Sequence, residues 1–250
     1  MTALTLKNAG KTYGAIDALH PVSLTVEEGE TVALLGPSGS GKTTLLSMIA
    51  GEVAPTTGTI RVGDLDLRSL RHGPQLASAV GMLHQQFDLV PHLSTLQNVL
   101  VGRLGQWSFG WSLVSLMWPR DRAMADAALG RVGVLERASI RAAKLSGGEQ
   151  QRFAIARLLL QDPRLVLADE PVSSLDPARA EEIVRLLLAT TQESGKTLIA
   201  SIHLVDLARK HFGRLVGLRN GRIYFDAPAA EVSDEMLARL YDLGELRAEV

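Results

Sequence analysis

The sequence predicts an α/β fold, and three observations carry the prediction. Residues 32–50, VALLGPSGSGKTTLLSMIA, run from an apolar strand through a loop of small residues into an amphipathic helix. Residues 3–8 (ALTLKN) and 22–27 (VSLTVE) alternate apolar and polar positions, as strands with one buried face do. Later in the chain, short apolar runs at 165–170 and 197–203 alternate with helical stretches, a pattern that favours parallel strands. At 250 residues the chain can bury a continuous core.

Composition narrows the function classes. A formal net charge of −1 gives no global attraction for nucleic acid or anionic lipid. Cysteine is absent, which excludes disulfides and thiolate metal sites. The N-terminal MTALTLKNAG lacks the apolar core of a signal peptide. No run approaches the ~20 apolar residues of a membrane span, so a soluble chain is expected, with any membrane role supplied by a partner.

The strand 3–8 is followed by KTYGAIDAL, in which Tyr13 is either an ordinary strand residue or a ring placed to stack on a base. The loop after the 32–35 run fits G-x-x-x-x-G-K-[ST], with Gly36, Gly41, Lys42 and Thr43 at the fixed positions. Its intervening residues, Pro37, Ser38, Gly39 and Ser40, let the backbone curl so that successive N–H groups face phosphate oxygens. A helix N-terminus at Lys42-Thr43-Thr44 adds positive field at the same point. Lys42 can reach the β- and γ-phosphates, and the Thr43 hydroxyl can ligate Mg²⁺.

Residues 55–64 read as a turn and short strand, and 79–83 (AVGML) as another strand leading to His84, Gln85 and Gln86. A helix restarts at 94–101 with Ser94 as N-cap. Trp107, Trp111, Val114 and Trp118 then form one helical stripe, either buried core or a partner contact. Residues 121–133 and 135–144, rich in Ala and Arg, read as further helices.

In LSGGEQQRFAIARLLL (145–160), Ser146 and Glu149 make a capping-box pattern opening an amphipathic helix. That pattern leaves Gly147 and Gly148 unexplained, since paired glycines weaken a first turn and admit close approach by another molecule. The strand 165–170 empties into Asp169 and Glu170, which suggests a Mg²⁺ carboxylate beside a carboxylate that orients water. A helix begins near Asp176-Pro177, a strand 197–203 ends at His203, a hairpin turns at Asn220-Gly221, and a helix spans 233–243.

In this order the pieces resemble the ATP-binding subunit of an ABC transporter, over nearly the whole chain. GPSGSGKT (36–43) matches the phosphate loop, Gln85 the Q-loop and LSGGE (145–149) the signature. LVLADE (165–170) matches the second Walker motif, SSLD (173–176, with Ser174, Leu175 and Asp176) the D-loop, and His203 the H-loop. The resemblance implies a P-loop NTPase core with a mixed sheet and an antiparallel β-subdomain, formed by 1–86 and 163–250. It also implies an inserted α-helical subdomain at 87–162 that docks a membrane permease.

It further implies Mg²⁺ and ATP as cofactors, with adenine stacked on Tyr13 and the metal held by Thr43, Gln85 and Asp169. Glu170, His203 and Gln85 would form the catalytic set. A second copy would bind head to tail, its Ser146, Gly147 and Gly148 facing this copy's γ-phosphate. Glu149 stands where many members have Gln, and a carboxylate aimed at triphosphate would repel it, so it is expected to turn away and serve the cap. The long insert GRLGQWSFGWSLVSLMWP (102–119), EPVSSLDP, IHLVDLA and FDAPAAEVSDEMLARLYD are similar to the ATPases of phosphonate or phosphite importers. Such a subunit lies on the cytoplasmic face of the inner membrane through its permease, is supplied by a substrate-binding protein, and binds no nucleic acid. Another small importer, a lipoprotein-type exporter or a non-transport ABC ATPase shares the same ATP motifs.

Overall fold

A computed structural model describes residues 1–68, 73–106, 121–173 and 175–242. The tryptophan stripe and Ser174 lie outside these residues. Strand alternation at the N-terminus builds an antiparallel sheet from β1 (Thr2–Tyr13), β2 (Ile16–Glu27), β4 (Thr57–Val62) and β5 (Leu65–Asp66), in the order β2-β1-β4-β5. The first two strands are longer than their alternating cores, because bulges absorb the breaks in alternation near Asn8 and Gly10. Leu4, Leu6, Leu24, Val26 and Ile60 point inward from this sheet.

The second sheet has the order β10-β9-β3-β8-β7-β6. Its parallel members are β3 (Thr31–Leu35), β6 (Val80–Leu83), β7 (Leu165–Ala168), β8 (Thr197–Ser201) and β9 (Arg214–Arg219). The last strand, β10 (Arg222–Pro228), pairs antiparallel with β9, which makes the sheet mixed. Asn220 and Gly221 at their turn both have positive φ, 49° and 68°, as a two-residue I′ hairpin requires.

Strands β7 and β8 are buried at every residue, which is why they read as apolar runs rather than alternations. One face of the sheet, with Val32, Leu34, Leu165, Leu167 and Ile199, packs on the antiparallel sheet and on α1 (Lys42–Ile49). The other face, with Ala33, Leu35, Val166, Ala168 and Leu198, packs on the remaining helices. Among these are α3 (Thr95–Leu100), α4 (Arg122–Arg131), α5 (Gly147–Gln161) and α6 (Pro177–Gln192).

The structure departs from the sequence reading at 135–144. This stretch forms two 3₁₀ turns, Leu135–Arg137 and Ala142–Lys144, rather than an α-helix. Its backbone serves the start of α3 instead. The Thr95 and Leu96 N–H groups each donate across 2.9 Å, to the Ile140 and Ala138 carbonyls, and Ala142 N–H donates to Leu93 O. Two helices are too short to announce themselves by periodicity, α2 (Pro74–Ala79) and α7 (Val205–His211), while the helix expected over 233–243 is present as α8 (Asp234–Tyr241).

Candidate active site

The parallel strands deliver their C-terminal ends to one edge, where ligands gather in open α/β sheets. Strand β3 ends at Gly36, whose φ of 144° and position leave no room for a side chain: a Cβ there would lie 2.1 Å from Leu218 O. Gly39 and Gly41 also have positive φ. Gly41 caps α1 without any side-chain bond to the helix's first N–H groups, so these are directed at the loop's concavity. The loop forms one wall of a cavity of about 540 Å³ that runs from Ser38 to Thr44 and is completed by Ile16, His20, Glu170 and Asn220.

Lys42 lies along this wall, buried, its Nζ donating to Gly36 O at 2.8 Å and Pro37 O at 3.1 Å. Burial lowers its pKa, and the charges of Glu170 and Asp169 oppose that shift. Thr43 and Thr44 follow on the cavity side. Tyr13 ends β1, about half exposed, with the Lys11 ammonium 4.9 Å from its ring centre; Ile16 rather than Tyr13 lines the cavity.

Strand β7 supplies the two acids. Asp169 is buried and accepts from Ser201 Oγ at 2.7 Å. The Glu170 N–H donates to the same oxygen, also at 2.7 Å. Ser201 is fully buried at the end of β8, so one hydroxyl fixes both acids. The Glu170 carboxylate is held at both ends: Gln85 Nε2 donates to Oε2 at 3.2 Å, and His203 Nε2 bonds Oε1. The structure therefore brings together Gln85, Glu170 and His203, read from separate motifs more than 30 residues apart.

The signature residues stand elsewhere. Ser146, Gly147, Gly148 and Glu149 do not line this cavity. A Cβ on Gly147 or Gly148 would meet nothing within 4 Å, so the first turn of α5 faces open space. Glu149 Oε2 accepts from the Ser146 N–H at 2.9 Å and from Ser146 Oγ at 2.8 Å, and Arg137 lies 3.2 Å from Oε1. The Ser146 backbone bond, followed by its hydroxyl, holds the Glu149 carboxyl below the usual range. Asp176 caps α6, accepting from the Arg179 N–H at 3.1 Å, and Leu175 packs on the core.

Four contributors had no signal of their own in the sequence. Besides Ser201, Gln151 of α5 is buried and donates to Pro171 O, directly after Glu170. Arg157, further along α5, donates to the Asp88 and Phe87 carbonyls at 2.9 and 3.0 Å, just beyond Gln85. The signature helix thereby grips both acid-bearing and glutamine-bearing loops. Finally Tyr241, at the end of α8, accepts from the Gly36 N–H at 3.2 Å. Burial raises the pKa of its hydroxyl, and the Gly36 bond partly offsets this.

The donor set Thr43, Gln85 and Asp169 is all oxygen, which suits a hard cation that keeps waters and shares phosphate oxygens. Among the described residues no cluster of three or more His, Asp or Glu side chains could hold a metal alone. Nor does any helix among them have the length and apolarity to cross a membrane.

Comparison with known proteins agrees with this geometry. The profile of a family described as ABC transporter matches residues 19–173. The phosphonates import ATP-binding protein PhnC of Anaeromyxobacter dehalogenans (strain 2CP-C) is 46% identical over 98% of this chain, which spans only 48% of that relative's length. PhnC of Pseudomonas fluorescens (strain Pf0-1) is 44% identical over 93% of this chain and 89% of its own length. Among solved structures, the ATP-binding cassette MJ0796, a dimer in a post-hydrolysis state bound to ADP and Pi, superposes with a TM-score of 0.76 at 33% identity. That superposition covers 90% of this chain and 98% of the other.

Proposed function

Because the chain belongs to the ABC transporter family, we propose that it is the ATP-hydrolysing subunit of an importer for phosphonates or a closely related phosphorus oxyanion. The observation that carries hydrolysis is the two-ended hold on Glu170 by Gln85 and His203. The substrate class rests on the relatives named as phosphonate import proteins, which match this chain at more than 40% identity.

ATP occupies the cavity with its phosphates against the loop. The Lys42 ammonium exchanges the Gly36 and Pro37 carbonyls for the β- and γ-phosphate oxygens, and Tyr13 packs on the adenine from the cavity's rim. Thr43, Asp169 and Gln85 hold Mg²⁺, which supplies charge neutralisation at the phosphates when bound. Glu170 accepts a proton from the attacking water. His203 fixes the carboxylate's orientation and donates toward the γ-phosphate, while Gln85 holds the opposite carboxylate oxygen.

A second copy of the chain completes each site. The open first turn of α5, with Ser146, Gly147 and Gly148, faces the partner's γ-phosphate, and Leu175 and Asp176 lie along the shared interface. The helical region 87–162 docks the permease, which holds the subunit at the cytoplasmic face of the inner membrane, and a substrate-binding protein delivers the cargo. Deleting the gene is expected to abolish growth on a phosphonate as sole phosphorus source and to spare growth on phosphate. Unimpaired growth in a strain with no second such transporter would overturn the substrate assignment.

A further inference from the structure

We propose that Tyr241 is a positioning residue for the phosphate loop, through which the C-terminal helix α8 sets the affinity for ATP. The inference rests on the ATPase reading above and deepens it.

Gly36 is the hinge between β3 and the loop, and both of its polar groups are engaged. Its N–H donates to the Tyr241 hydroxyl at 3.2 Å, and its carbonyl accepts from Lys42 Nζ at 2.8 Å. Gly36 is buried, so a rotated peptide finds no water to replace the tyrosine. The Leu35–Gly36 peptide that Tyr241 holds and the Gly36–Pro37 peptide whose carbonyl parks the Lys42 ammonium meet at the Gly36 Cα, so the hold on the first limits how the second can turn.

The helix carrying Tyr241 is itself immobilised. Ser233 caps it, accepting from the Met236 N–H at 3.2 Å, and Leu237 and Leu240 are buried. Its C-terminal carbonyls are clamped by Arg219, which donates to Arg239 O and Asp242 O at 2.7 Å each. Arg219 directly precedes the Asn220-Gly221 turn, and the Gly221 N–H donates to Ser40 O at 3.1 Å. The loop is thus held at its first residue by α8 and near its middle by the hairpin, with Arg219 joining the two supports.

Phenylalanine at 241 keeps the ring and removes the acceptor. In the full-length chain, Tyr241→Phe is expected to raise the Kd for a non-hydrolysable ATP analogue, read by titration calorimetry, about tenfold, ~1.4 kcal/mol. The KM for ATP should rise in parallel, with kcat within about twofold of wild type. Arg219→Ala should raise the Kd in the same direction, and the double variant should be no weaker than the worse single. A melting temperature that falls while the Kd stays at the wild-type value would reduce Tyr241 to packing and overturn the proposal. Single-variant effects that multiply in the double variant would overturn the route through α8. A wild-type chain that binds no analogue would instead overturn the ATPase reading, and the two failures are distinguishable.

Discussion

Glu170 sits at φ 47°, a left-handed backbone that costs a residue bearing a Cβ roughly 1–2 kcal/mol. The compensation is local: the Ser201 hydroxyl takes its N–H, and Gln85 and His203 take its carboxylate. Glu170→Gln preserves the shape and removes the base. It is expected to leave ATP binding intact and to cut turnover by ~10²-fold or more, with a trapped ATP-bound dimer visible by size-exclusion chromatography. Ser201→Ala removes one hydroxyl that serves both acids and leaves two buried groups short of a partner, at ~1–3 kcal/mol each. The Mg²⁺ concentration for half-maximal ATPase should rise about tenfold, and Ser201→Thr should restore it. The acids were legible because they end an apolar strand, whereas Gln85 and His203 drew their roles only from the family resemblance. Ser201 was not legible, because a lone serine in an apolar strand carries no pattern. Only the parallel register of β7 and β8, with Ala168 beside Ala200, places it next to Asp169.

Among the elements, α5 shows how far a local pattern reaches. The Ser146-x-x-Glu149 spacing predicted the capping box, and both of its reciprocal bonds are present. What the spacing could not show is that the same helix anchors the loops that follow Glu170 and Gln85, by Gln151 and Arg157, which depends on packing. The cap also carries a pH signature. The folded-state pKa of Glu149 is depressed, so its contribution is present above the ordinary glutamate range, ~4.3, and is lost as pH falls through the lower folded value. Glu149→Gln keeps an oxygen acceptor and loses the titration. Melting curves between pH 3 and 7 should show the wild type losing stability on acidification relative to this variant; parallel curves would contradict the assignment. The misread stretch 135–144 teaches the converse. Its Ala and Arg content favours helix, but its carbonyls are committed to the Thr95 and Leu96 N–H groups, a long-range demand that propensity does not register.

At the scale of the whole molecule, Ser146, Gly147 and Gly148 do not line the cavity, and under the function proposed above a complete site needs two copies. Mixing a Lys42→Ala subunit with a Gly148→Asp subunit creates dimers in which one site has both intact halves and the other has neither. Such mixtures are expected to recover ATPase above either variant alone. Activity no higher than the parents would count against composite sites that work independently. The sheet order was not legible in the sequence, since apolar runs identify buried strands without saying which lie side by side. The order places β3, which feeds the nucleotide loop, between β8 and β9.

That placement has a consequence for the chain as it is made. Strand β3 leaves the ribosome early, but both of its neighbours begin only at Thr197 and Arg214. At ~5–20 residues per second the interval is on the order of ten seconds or more. Throughout that time the apolar TVALL segment has neither edge covered by its native partner. The strand that leads into the phosphate loop is therefore also the one with the longest wait for its place, and the nascent chain is most in need of shielding there.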